Sequence, residues 1–142
     1  MKNSVIADTG FWFALINKND KHHHKAEQTL QKLNEPLITT WAVITETCYL
    51  LQSRLGQHEV CQFLNAYQQQ LYDIYQITPD KIPRLITLMS QYANLPMDLA
   101  DASLVILAEE LGHGRILSTD QRDFNCYRWK NHHPFQNILL PE

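Results

Sequence analysis

Short apolar runs alternating with helical segments constrain this chain most. Val5-Ile6-Ala7 runs into Asp8-Thr9-Gly10, which reads as a buried strand followed by a turn. Phe11–Ile16 reads as a short helix and Lys18–Lys21 as a polar loop. His22–Leu33 has helical spacing through Ala26, Leu30 and Leu33. Leu37–Thr39 predicts a second strand. Thr40 is placed to cap a helix over Trp41–Leu55, which Gly56 ends. His58–Gln70 predicts another helix, with Val60, Phe63, Leu64 and Tyr67 on its core face. Leu71–Ile77 predicts a third strand, and Pro79 opens a helix running to about Ala93. After the Leu95–Met97 loop, Leu99–Leu111 is the clearest helix, closed by Gly112. Arg115–Thr119 predicts a fourth strand and Asn137–Leu140 a final one. Strands separated by helices, mostly without hairpin turns between them, predict an α/β fold. Its sheet is mostly parallel and covered on both faces.

A chain of 142 residues suits a single domain spanning 1–142. A chain of this size buries roughly two thirds of its unfolded surface, so its core needs no disulfide. A hydrophobic content of 44% argues against disorder. The net charge of −3 provides no global basic field, so any surface that attracts nucleic acid must be local. Cys48, Cys61 and Cys126 lack metal-type spacing and read as reduced thiols. With no apolar leader or membrane span, a cytoplasmic location is expected.

Four acids, with Asp98 beside them, fall at element ends or margins. Asp8 follows the first strand and Asp120 the fourth. Ligands of open α/β sheets bind beyond the carboxyl ends of strands. If those two strands are neighbours, both carboxylates reach one crevice. Glu46 sits at the margin of an apolar stripe of Val43, Ile44, Thr47, Leu50 and Leu51. Asp98 and Asp101 begin the helix anchored by Leu104, Leu107, Ala108 and Leu111. Two unit charges about 4 Å apart repel by roughly 4 kcal/mol at an effective dielectric near 20. A cluster of this kind therefore takes up a proton or a cation. Hard oxygen donors suit Mg²⁺ or Mn²⁺, which points to metal-assisted hydrolysis of a phosphate ester.

Each residue also has a plainer reading. Asp8 could be a cap, and Glu46 an exposed helix residue. Asp98 is a natural N-cap and Asp101 a capping-box acid. Asp120-Gln121-Arg122-Asp123 could be a polar turn. The pattern of strand ends and helix starts in this order carries more than any one residue.

Four segments resemble the PIN-domain family, in particular VapC-type toxins of toxin–antitoxin pairs. They are Ile6–Gly10, Thr45-Glu46, Pro96–Leu104 and Ile116–Phe124. Together they span nearly the whole chain. The resemblance matches Asp8, Glu46, Asp101 and Asp120 to the family's acidic quartet. Ser118 stands where the family usually has Thr, which keeps a hydroxyl. The resemblance implies a three-layer α/β/α sandwich and an Mg²⁺- or Mn²⁺-dependent endoribonuclease. It also implies frequent homodimers and a cognate antitoxin. Asp8 and Asp101 would be the main metal ligands, with Asp120 and Glu46 completing the site. Thr9, Asp98 and Ser118 would support them.

Other features fit less specific roles. The side chains of His22-His23-His24 diverge on a helix, so they read as a solvated helix start rather than a metal tract. Residues 126–130 offer Tyr127, Trp129, Arg128 and Lys130 for RNA stacking, but a packed surface loop is favoured. The main alternative function is a PIN-like module that binds RNA or protein without cutting. A DNA nuclease would share the same chemistry. A phosphoryl-accepting receiver domain is excluded, because Ile77-Thr78-Pro79 offers no phosphoacceptor and no Lys directly follows Thr119.

Overall fold

The computed structural model describes residues 1–141. Its elements, in chain order, are β1 (Val5–Ala7), α1 (Thr9–Ile16), α2 (His23–Lys32), β2 (Leu37–Thr40), α3 (Trp41–Arg54), α4 (Gln57–Gln68) and β3 (Asp73–Tyr75). A single 3₁₀ turn at Pro79–Lys81 leads into α5 (Ile82–Gln91). Then come α6 (Leu99–Leu111), β4 (Arg115–Leu117), α7 (Gln121–Cys126), β5 (Arg128–Trp129), β6 (His133–Pro134) and β7 (Gln136–Asn137).

The main sheet has the order β3-β2-β1-β4-β7, and every pairing in it is parallel. All residues of β1 and β2 are buried. Successive strand residues point to opposite faces, so helices must cover both. This is the α/β/α arrangement expected from the alternation of elements. The chain winds outward from β1 through β2 to β3, then returns to lay β4 on the other side of β1. Ile6 pairs with Ile116 and Ala7 with Leu117. The strand order therefore reverses at β1 and β4, and the crevice lies at their carboxyl ends.

Helix ends follow local chemistry. The Thr40 hydroxyl accepts from the Val43 N–H, as an N-cap should. Gly112 closes α6 at φ 80°, a left-handed conformation that favours glycine. Nearly all of α6 from Ala100 to Ala108 is buried, because it packs on β1 and β2 and is itself backed by α5.

Several boundaries differ from the sequence reading. The third strand is confined to Asp73–Tyr75, because the Gln70 turn and Leu71 lie outside the ladder at a sheet edge. Residues 121–126 form a short helix rather than a polar turn, because Asp120 caps it. A small antiparallel hairpin, β5–β6, follows. Its turn takes Lys130 and Asn131 through positive φ. The last strand is Gln136–Asn137, earlier than expected, because Asn137 then spends its side chain on Ser118 and on the Leu139 and Leu140 N–H groups. On α4 only Phe63 is buried, whereas Leu64 and Tyr67 are exposed. The helical spacing there marks a face only partly used by the core.

Candidate active site

Asp8 ends β1 and caps α1. Its Oδ1 accepts from the Thr9 N–H at 2.7 Å, and its Oδ2 accepts from the Ser118 hydroxyl at 2.9 Å. The Ser118 hydroxyl in turn accepts from the Asp120 N–H at 2.9 Å. One hydroxyl thus links the end of β4 to the end of β1. Gly10 sits where a Cβ would collide with the Thr119 side chain, so this close approach requires glycine.

Asp98 and Asp101 form a reciprocal capping box. The Asp101 N–H donates to Asp98 Oδ1 at 2.8 Å, and the Asp98 N–H donates to Asp101 Oδ2 at 3.4 Å. The Tyr127 hydroxyl donates to the same Asp101 Oδ2 at 3.3 Å. Asp120 caps α7 by accepting from the Asp123 N–H at 3.2 Å. Glu46, half-buried on α3, stands beside Asp98 and Thr9.

These groups share one cavity of about 520 Å³, lined by Asp8, Thr9, Glu46, Asp98, Asp101 and Asp120. Ser118 lies behind it and reaches it through Asp8. The adjacency of β1 and β4, an assumption at the level of sequence, is what brings Asp8 and Asp120 together.

The electrostatics are those of crowded, partly buried carboxyls. Burial pushes the Asp8 carboxyl up to about 6, and the charges of Glu46 and Asp120 add to the rise. The bonds from Thr9 and Ser118 oppose it. Burial also raises Asp101 well above the usual carboxylate range, helped by the charges of Asp98 and Asp8. Glu46 and Asp120 are raised as well, chiefly by burial. The buried Thr9 hydroxyl completes no well-formed hydrogen bond, although it faces Glu46 closely enough to offset part of that residue's rise.

Among the described residues, no three His, Cys, Asp or Glu side chains converge as a ready-made ion cage. Their oxygens are instead spent on caps and hydroxyls. The donor set still fits a hard divalent cation: carboxylates only, partly buried, with raised proton affinities and an unsatisfied hydroxyl beside them.

Other residues take roles at or behind the cavity that differ from, or add to, the sequence reading. Tyr127 is fully buried, so it is not an exposed base-stacking group; it supports Asp101 instead. Trp129 is half-buried and stacks on His133. Asp123 is buried at the rim and accepts from Arg122 Nε at 3.0 Å. The Asp-x-x-Asp spacing of 120 and 123 was its only sequence signal. The loop bearing Asp20, Lys21 and His22 also lines the cavity. The three histidines diverge as expected. The His23 ring bonds the Ala14 carbonyl at 2.8 Å, His24 is exposed, and His22 faces the cavity. The three cysteines are free.

A central parallel sheet flanked by helices is the fold of a PIN domain, and the PIN domain family model matches residues 5–129. The chain belongs to that family. Its similar proteins include ribonuclease VapC26 of Mycobacterium tuberculosis (strain ATCC 25618 / H37Rv). Identity to it is 22% over 124 residues, covering 87% of this chain and 92% of that protein. The fold also matches the crystal structure of Mycobacterium tuberculosis VapC20, a sarcin–ricin-loop-cleaving toxin. That match has a TM-score of 0.78 at 21% identity, over 84% of this chain and 92% of the other.

Proposed function

We propose that this chain is a divalent-metal-dependent endoribonuclease acting as the toxin of a type II toxin–antitoxin pair. The observation that carries the reading is the placement of Asp8, Glu46, Asp101 and Asp120 in one cavity at the carboxyl ends of adjacent parallel strands. The VapC relatives, both M. tuberculosis proteins, favour RNA over DNA as substrate.

Asp8 and Asp101 are the main ligand candidates for Mg²⁺ or Mn²⁺, with Asp120 and Glu46 completing the set directly or through water. A bound ion supplies Lewis acidity toward a phosphodiester and its attacking water. Glu46 and Asp101 are the two candidates to accept the proton of that water. Ser118 holds Asp8 in place, and Thr9 and Asp98 support Glu46 and Asp101. A cognate antitoxin and a second copy of the chain are the expected protein partners. The exposed Trp41, Ile82 and Leu99, which line one groove, provide apolar surface for such contacts. No helix among the described residues is long and apolar enough to cross a membrane.

The test incubates antitoxin-free protein with total RNA, and separately with DNA, in Mg²⁺, Mn²⁺ or EDTA. Discrete metal-dependent RNA fragments are expected. Asp8→Asn is expected to abolish them while the circular dichroism spectrum stays unchanged. Cleavage by the Asp8→Asn variant would overturn the site. Absence of cleavage with either metal would favour a PIN-like module that only binds RNA or protein.

A further inference from the structure

Seven acids line the cavity: Asp8, Asp20, Glu46, Asp98, Asp101, Asp120 and Asp123. A polyanion approaching it meets repulsion over most of its rim, and the chain's net charge of −3 offers no compensating field. Among the lining side chains, Lys21 and His22 are the two that can carry positive charge. Neither side chain forms a hydrogen bond or ion pair with the described residues. By contrast, the nearby Arg122 is already held by Asp123. An ammonium beside seven acids that bonds to none of them is free to meet an outside ligand.

The loop is also fixed. The Asn17 N–H donates to the Phe13 carbonyl at 2.8 Å, and the Asn19 N–H donates to Asn17 Oδ1 at 3.1 Å. The Asp20 side chain accepts from the His22 N–H at 2.8 Å. The His23 N–H donates to the Asp20 carbonyl at 3.0 Å, and the His23 ring is tied to Ala14. Consecutive Asx-type turns thus hold Lys21 and His22 at the mouth before any ligand arrives. Such preorganisation lowers the entropy cost of a contact.

We propose that Lys21 and His22 form an anion-binding lip for an RNA backbone phosphate flanking the scissile one, an inference that rests on the nuclease reading above. Lys21 supplies charge and His22 a ring N–H. The lip draws the strand across a cavity that would otherwise repel it.

The test measures anisotropy of a fluorescein-labelled oligouridylate with the full chain in EDTA over a series of salt concentrations. Lys21→Gln is expected to weaken binding and to make the slope of log K against log salt shallower by about 0.7, the value for one lost single-strand phosphate contact. His22→Ala is expected to weaken binding. Lys25→Gln changes net charge equally but lies outside the cavity, and is expected to bind like wild type. With metal, Lys21→Gln is expected to raise KM for RNA while kcat holds. Unchanged binding in Lys21→Gln, equal loss in Lys25→Gln, or no wild-type binding at low salt would overturn the lip. Failure of the nuclease reading is separate: it appears as a wild type that binds the oligonucleotide but never cuts RNA.

Discussion

Tyr127 and Ser118 are the residues whose roles depend most on single atoms. Each donates one hydroxyl to an acid of the cavity, Tyr127 to Asp101 and Ser118 to Asp8. A hydrogen bond to a charged acceptor contributes about 1.5–3 kcal/mol. Tyr127→Phe keeps the ring that packs edge-on against Phe124 and Tyr92, so the core survives. It is expected to lower kcat about tenfold, equivalent to about 1.4 kcal/mol. It should also weaken Mn²⁺ binding by calorimetry, with the circular dichroism spectrum in EDTA unchanged. Ser118→Ala should behave alike at Asp8, and Ser118→Thr should restore activity because it retains the hydroxyl. If Tyr127→Phe cuts RNA at the wild-type rate, Tyr127 serves packing alone.

At the scale of elements, caps and catalytic candidates occupy the same residues. Asp8, Asp98 and Asp120 each cap a helix and Asp101 completes the capping box of α6, so among Asp8, Glu46, Asp98, Asp101 and Asp120 only Glu46 is not anchored at a helix start. This anchoring explains why sequence could not separate the two readings: both fall on the same side chains. Asp98 can be separated experimentally. Asp98→Ala removes the cap and is expected to cost about 1 kcal/mol of stability, seen in urea unfolding. Asp98→Asn keeps an acceptor for the Asp101 N–H, so it should retain both stability and cleavage. A stable Asp98→Asn variant that fails to cut would make Asp98 a participant in the chemistry rather than the support of Asp101.

For the molecule as a whole, the acid cluster links stability to pH and to metal. The Asp8 pKa rises on folding from 3.8 to about 6. The folded state therefore holds a proton that the unfolded state has lost. Stability from this group is full below pH 3.8, declines as pH rises, and is gone above about 6. The total change is about 3 kcal/mol. The metal-free protein is expected to melt at lower temperature as pH rises through this window. Asp8→Asn should flatten that dependence. Added Mn²⁺ should raise the melting temperature more at pH 7.5 than at pH 5, because ligands must shed protons to bind it. A metal-induced shift that is equal at both pH values would contradict this linkage.

The sequence by itself determined the alternation of elements, the parallel sheet, the caps at Thr40 and Asp98, the end of α6 at Gly112, and the placement of acids at strand and helix ends. These are local matters of periodicity, capping and turn chemistry, and they read directly from neighbouring residues. Glu46 was legible only as a residue on a margin, because its companions come from other helices. Tertiary structure alone decided that β4 lies beside β1, which turns two separated acids into neighbours across one hydroxyl. It also decided that Tyr127 is buried under Asp101, and that the Lys21–His22 loop lies at the mouth of the cavity. Strand order and the return of distant loops are set by packing summed over the whole core. No window of sequence contains that sum.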